Sequence, residues 1–232
     1  MLGRLAEEFG PERVVPVAFH VDYFDEPWKD PFSDPTYSRR EMQYSLIYDR
    51  EHKLKNPGYL YLTPLVMIDG RTPMVGSNED APARARDAIR KALARRAEVT
   101  LRPILEPVGD DARKRTLRLE VAAASTGLVG REVIVEVVIV EDGLRTKVGA
   151  GELKGEEYVG HNVARKFAFR SVRLSRKEPE ALRFPVELEE GWDPARCRVV
   201  VIAQDEKTGR IYQARMIGWS GRKGEAEAVG GR

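Results

Sequence analysis

Near Glu98 the 232-residue chain changes its hydrophobic period from that of helices to that of strands. Before this point Leu2, Leu5, Ala6 and Phe9 recur at helical spacing until Gly10-Pro11 stops them, and Ala85, Ala88, Ile89, Ala92 and Leu93 mark one face of a helix over 81–97. After it, TLRLEVA (Thr116 to Ala122) alternates strictly, and EVIVEVVIVED, ALRFPVELEE and CRVVVIAQDEKTGRIYQARMIGW read as strands separated by polar turns. Strands in succession without helices between them predict an antiparallel β-sandwich over 98–219. The closing run 220–232, SGRKGEAEAVGGR, has nothing to bury and is expected to be disordered.

Between the two helical patterns lies VVPVAFHV, Val14 to Val21, nearly continuous in apolar residues and of strand length. A loop rich in turn-formers, DYFDEPWKDPFSDP, leads to Asp34 as an N-cap and Pro35 at the first helical position. Tyr37, Tyr44, Ile47 and Tyr48 then lie on one face of a helix reaching about Lys53. PLVMI and TPMVGS, joined through Asp69-Gly70, form a hairpin signal. The resulting order, α–β–α–β–β–α over 1–97, is that of the thioredoxin fold without its first strand. A proline at the mouth of PLVMI is tolerated as a first strand residue, and X-Pro is the peptide bond that takes the cis form cheaply.

Composition narrows function by exclusion. Lys and Arg number 39 against 37 acidic residues, too balanced to point to nucleic acid or an anionic membrane. Arg84, Arg86, Arg90, Lys91, Arg95 and Arg96 crowd one helix face, yet no aromatic or glycine-rich phosphate element accompanies them, so a solvated surface is the simpler reading. No apolar run approaches the ~20 residues that span a bilayer, and the start MLGRLAEEF has no signal-peptide pattern, so the chain as given is expected to be soluble. Neither a G-x-S-x-G elbow nor a dinucleotide or Walker loop occurs, and no cofactor is expected. The single cysteine, Cys197, sits in a strand-like run and excludes an internal disulfide.

His20 and Asp22, with Asp25, come from a strand end and its loop, where α/β proteins place sites. Two such ligands hold no metal tightly, so metal binding is not expected; His20, Asp22, Tyr23 and Trp28 are instead candidates for the mouth of a site. His52 reads as an exposed helix-end residue, and His161, in GHNVARKF, as a minor candidate for a contact between domains.

HVDYFDEPWKDPFSDPTYSRREMQYS, YLTPLVMIDGRTPMVGSN and EDGLRTKVGAGELKGEEYVGHNVARKF resemble successive blocks of the secreted thioredoxin-like family known as domain of unknown function 1223. The resemblance implies a thioredoxin-like domain followed by a β-rich one, in exported bacterial proteins, with a C-x-x-C turn ahead of the first helix. This chain contains no C-x-x-C and starts inside that helix. Thiol–disulfide exchange needs an attacking thiolate and a resolving neighbour, so the chain is expected to be non-catalytic, a binding or truncated form. The alternative is an envelope oxidoreductase whose dithiol is encoded upstream. By the same resemblance Pro64 is cis, and Thr63 and Pro64 dock an extended protein substrate or partner.

Overall fold

The computed structural model describes residues 1–151 and 153–220, so the expectation for the tail falls almost wholly outside the described residues. Helix α1 (Leu2–Phe9) buries Leu5 and ends at Gly10, whose φ of 90° suits glycine. Helix α2 (Pro35–His52) is capped as the sequence predicts: the Asp34 side chain accepts from the Thr36 amide, and Lys53 closes it in the left-handed conformation. Strands β1 (Leu65–Ile68) and β2 (Thr72–Val75) form the hairpin, with Asp69 and Gly70 both at positive φ in the turn. Helix α3 (Ala81–Leu93) buries Ala81, Ala85, Ala88 and Ile89. It stops at Leu93 rather than Ala97, because Arg95 is drawn to Asp69 at 2.6 Å and Val99 is already fully buried in the next strand.

Nine more strands follow: β3 (Val99–Pro107), β4 (Lys114–Ala123), β5 (Glu132–Glu141), β6 (Leu144–Lys147), β7 (Glu157–Gly160), β8 (Val163–Arg173), β9 (Glu180–Glu187), β10 (Cys197–Gln204) and β11 (Ile211–Gly218). All named pairings are antiparallel, in sheets ordered β11-β10-β5-β8, β3-β4-β9, β6-β7 and β1-β2. The chain is thus mixed α/β with antiparallel sheets.

Side-chain alternation explains the layering. Val133, Val135, Val137 and Ile139 of β5, with Val199 and Val201 of β10, share one apolar core with Leu117, Leu119 and Val121 of β4 and Phe184 of β9. The intervening residues, Val138, Val140, Val200 and Ile202, form a second core on the opposite face of the same sheet. That face is covered by Tyr37 of α2 and by Val15, Val17 and Phe19. A third cluster joins Leu5, Met74, Ala81, Ala85 and Ile89, with Val14, Val66 and Ile68 against it.

Val14 to Val21 therefore corrects the sequence reading. It forms no ladder, only isolated parallel bridges of Ala18 with Val163 and of His20 with Ser33. Ala18 donates to the Asn162 carbonyl at 3.0 Å and accepts from the Ala164 amide at 2.8 Å. Its apolar side chains serve to cover a sheet face, a demand that produces the same run of residues as a buried strand.

Candidate functional site

Tyr23, from the loop that follows this extended segment, brings the entry to β1 and α2 together. Its hydroxyl donates to Glu41 Oε2 at 2.9 Å and lies 2.5 Å from Thr63 Oγ1, which is left to donate to it. The ring packs against Tyr61 (centroids 4.7 Å apart) and Phe24 (4.8 Å), and Phe24 is 66% exposed. Burial, reinforced by the Glu41 carboxylate, pushes the Tyr23 hydroxyl up to about 12, and burial likewise raises Glu41 above the usual carboxylate range. Tyr23 is therefore a neutral donor at physiological pH.

The approach to Thr63 is fixed by α2. Ser45 Oγ accepts from the Leu60 amide at 3.0 Å and Asp49 Oδ2 from the Gly58 amide, both on buried faces of the helix. These bonds satisfy the connector's backbone donors and hold it against α2 before it enters β1.

Thr63 and Pro64 are exposed, and the peptide bond between them is cis. The Gly76 amide donates to the Pro64 carbonyl at 2.7 Å. In the antiparallel alternation this turns the main-chain groups of Val66 and Ile68 toward β2 and those of Leu65 and Met67 to the opposite edge. Among the described residues nothing hydrogen-bonds to the Leu65 and Met67 backbone on that edge. Pro73 lies across from Met67, so its missing donor falls on the outer side of β2, where it costs no ladder bond.

The other sequence candidates are engaged elsewhere. His20 Nδ1 pairs with Asp30 Oδ2 at 2.6 Å and Nε2 meets the Tyr158 hydroxyl at 3.0 Å, tying the segment to its own loop and to β7. Burial opposes ionisation of Asp30, but the bonds from His20 and the Phe32 amide hold it below the usual carboxylate range. Tyr158 is raised by burial, so this acid–imidazole–hydroxyl series offers no ready phenolate. Asp22 binds the buried Ser38 hydroxyl and accepts its proton, while its own amide donates back to Ser38 Oγ at 3.0 Å. Trp28 lies against Gly149 so closely that a Cβ there would stand 2.2 Å from the indole. His161 faces Gly3 of α1, where a Cβ would stand 3.2 Å from its ring, and pairs with Asp142 at 3.2 Å. Among the described residues no group of three or more His, Cys, Asp or Glu is placed to hold a metal ion.

Of the sequence candidates, then, the structure brings together Tyr23, Thr63 and Pro64. Glu41 and Tyr61 are partners that sequence reasoning missed. Glu41 lies on α2, 18 residues from Tyr23, and no local pattern links the two.

The chain matches the family model described as Protein of unknown function (DUF1223) over residues 1–204. No curated protein matches it. Among solved structures, HBP35 of Porphyromonas gingivalis is similar with a TM-score of 0.55 at 14% identity, over 82% of this chain and 60% of that one, a likeness of fold alone. The chain thus spans 60% of the length of HBP35. A domain of the outer membrane lipoprotein Omp28 from Porphyromonas gingivalis matches over 52% of this chain at 18% identity, with a TM-score of 0.32.

Proposed function

The chain belongs to the DUF1223 family, and we propose that it acts as a peptide-binding thioredoxin-like scaffold (1–97) joined to a β-sandwich (98–219), without thiol chemistry of its own. The observation that carries this reading is the unpaired backbone of Leu65 and Met67 directly after the exposed Thr63-Pro64. A strand edge with free donors and acceptors takes an extended peptide by adding it as a further strand, while neighbouring side chains select its sequence. Tyr23, Phe24 and Tyr61 supply apolar surface beside that edge, and the Thr63 and Glu41 oxygens supply acceptors.

Cys197 supports the non-catalytic half of the proposal. It is buried in β10 and burial pushes its thiol up to about 12, so little thiolate forms at neutral pH. With one cysteine there is also no resolving thiol.

A second reading, an exported thiol–disulfide oxidoreductase whose dithiol lies upstream of Met1, is favoured by one feature. Because Ala18 bonds on both its N–H and C=O toward β8, the main-chain groups of Val17 and Phe19 alternate to the other side, where they are as unpaired as those of Leu65 and Met67. Two unpaired extended edges are what an additional strand would satisfy.

The test uses S-carboxymethylated insulin B chain as an extended probe. The binding reading expects saturable binding and no reduction of intact insulin above buffer. Turnover by this chain overturns it; turnover only by a form extended with the upstream coding sequence selects the oxidoreductase.

A further inference from the structure

Among the described residues the glutamates that are buried or half-buried are Glu41, Glu98, Glu106, Glu136 and Glu141. All but Glu41 hold an arginine. Arg40 pairs with Glu136 at 2.7 Å, Arg165 with Glu141 at 2.6 Å and Arg118 with Glu106 at 2.8 Å, and Arg210 pairs with Glu98. Most of these guanidinium groups also lie against aromatic rings: Arg40 between Phe19 and Tyr44, Arg165 at 4.5 Å from the Trp192 ring centre and Arg210 at 5.2 Å from that of Tyr212. A glutamate partly withdrawn from water is thus met in this chain by the cation whose planar fork suits both a carboxylate and a ring face.

Glu41 has such surroundings without the cation. Its donors are the Tyr23 hydroxyl at 2.9 Å and the Leu62 amide, both neutral, and it has no Lys, Arg or His partner among the described residues. The Tyr23 ring packs against Tyr61 and against Phe24, whose aromatic surface is exposed. The same Tyr23 hydroxyl meets Thr63 Oγ1, so a single group joins this carboxylate to the residue that opens the β1 edge. The loop that carries Tyr23, residues 22–30, adds Asp22, Asp25, Glu26 and Asp30 against one cation, Lys29, a balance that favours a positively charged guest.

Resting on the peptide-binding reading of this site, we infer that the peptide taken on the β1 edge bears an arginine, whose guanidinium pairs with Glu41 and stacks on the Tyr23 and Phe24 rings. The guest thereby supplies the cation that the other withdrawn glutamates obtain from within the chain. Lysine fits less well, because its compact, strongly hydrated ammonium matches neither the fork of a carboxylate nor a ring face.

Fluorescence anisotropy of the full chain with short blocked peptides of alternating serine and valine, identical except for Arg, Lys, citrulline or Glu at one position, tests this. Citrulline keeps the shape of arginine and lacks its charge. The arginine peptide is expected to bind roughly tenfold or more tighter than the citrulline peptide, with lysine between them and glutamate weakest. Glu41→Gln should bring the arginine-to-citrulline ratio close to one, whereas Glu106→Gln, which removes a withdrawn glutamate outside the site, should leave that ratio as it is. Equal affinity of the native chain for the arginine and citrulline peptides, or an arginine preference that survives Glu41→Gln, overturns this inference and leaves the edge-binding reading standing. Binding of none of the peptides overturns that reading and the inference with it.

Discussion

Asp30 shows how one side chain converts local geometry into a pH dependence. Its folded carboxyl is held below the ordinary value of 3.8 by His20 and the Phe32 amide. A lowered carboxylate contributes stability that is present above the unfolded value and lost as pH falls through the folded one. The stability difference between the native chain and Asp30→Asn should therefore be constant from neutral pH to about pH 5 and shrink below pH 4, measured by urea unfolding at each pH. A constant difference down to pH 2 would contradict the assigned role. Tyr23→Phe removes the donor to Glu41 and the acceptor of Thr63, and should cost about 1 kcal/mol of stability by the same measurement, since Glu41 is left at a half-buried site while the exposed Thr63 can turn to water.

Among elements, α2 is fastened to the outer face of β5 by a charge pair rather than by apolar packing alone. Arg40 Nη2 meets Glu136 Oε2 at 2.7 Å, both side chains are at least nine-tenths buried, and the guanidinium lies between the Phe19 and Tyr44 rings at 4.8 and 4.9 Å. Removing one partner strands the other charge, so Arg40→Met should cost roughly 3–5 kcal/mol in urea unfolding, and adding Glu136→Met should recover much of that. The β1–β2 turn is fastened to the β10–β11 turn by the Ile211 amide, which donates to the Asp69 carbonyl at 3.1 Å. Gly70 there has φ of 67°, and a Cβ would fall 1.8 Å from the Gly209 carbonyl oxygen. Gly70→Ala should lower stability by about 1–3 kcal/mol and loosen the hairpin from the second turn, seen as faster exchange of the Ile211 amide.

These elements also show what was legible beforehand. The caps of α2, the hairpin at Asp69-Gly70 and the strands β4, β5, β9, β10 and β11 follow from local residue types, because caps, turns and alternation are satisfied within a few residues. The segment 14–21 was not, since an apolar run records that it is covered and not whether it pairs. In β5 the run Val137 to Val140 carries a signal that both faces are buried, and both are, in separate cores. What buries the outer face is contributed by residues more than a hundred positions away, such as Val17 and Phe19. For the site, Pro64 and Tyr23 were legible as candidates. Glu41 and Tyr61 were not, because their roles depend on α2 lying beside the β1 entry.

At the scale of the whole molecule, the covered and uncovered edges define the account. The larger sheets bury their faces against each other and beneath the N-terminal segment and α2, while the β1 edge at Leu65 and Met67 keeps its donors and acceptors unpaired among the described residues. Amide hydrogen exchange, read residue by residue with and without saturating S-carboxymethylated insulin B chain, tests this most directly. The account predicts that the Leu65 and Met67 amides exchange fast in the free protein and slow by roughly tenfold or more in the complex, while Val66 and Ile68, already paired with β2, change little. Protection of Leu65 and Met67 in the free protein, or their unchanged exchange in the complex, would contradict it.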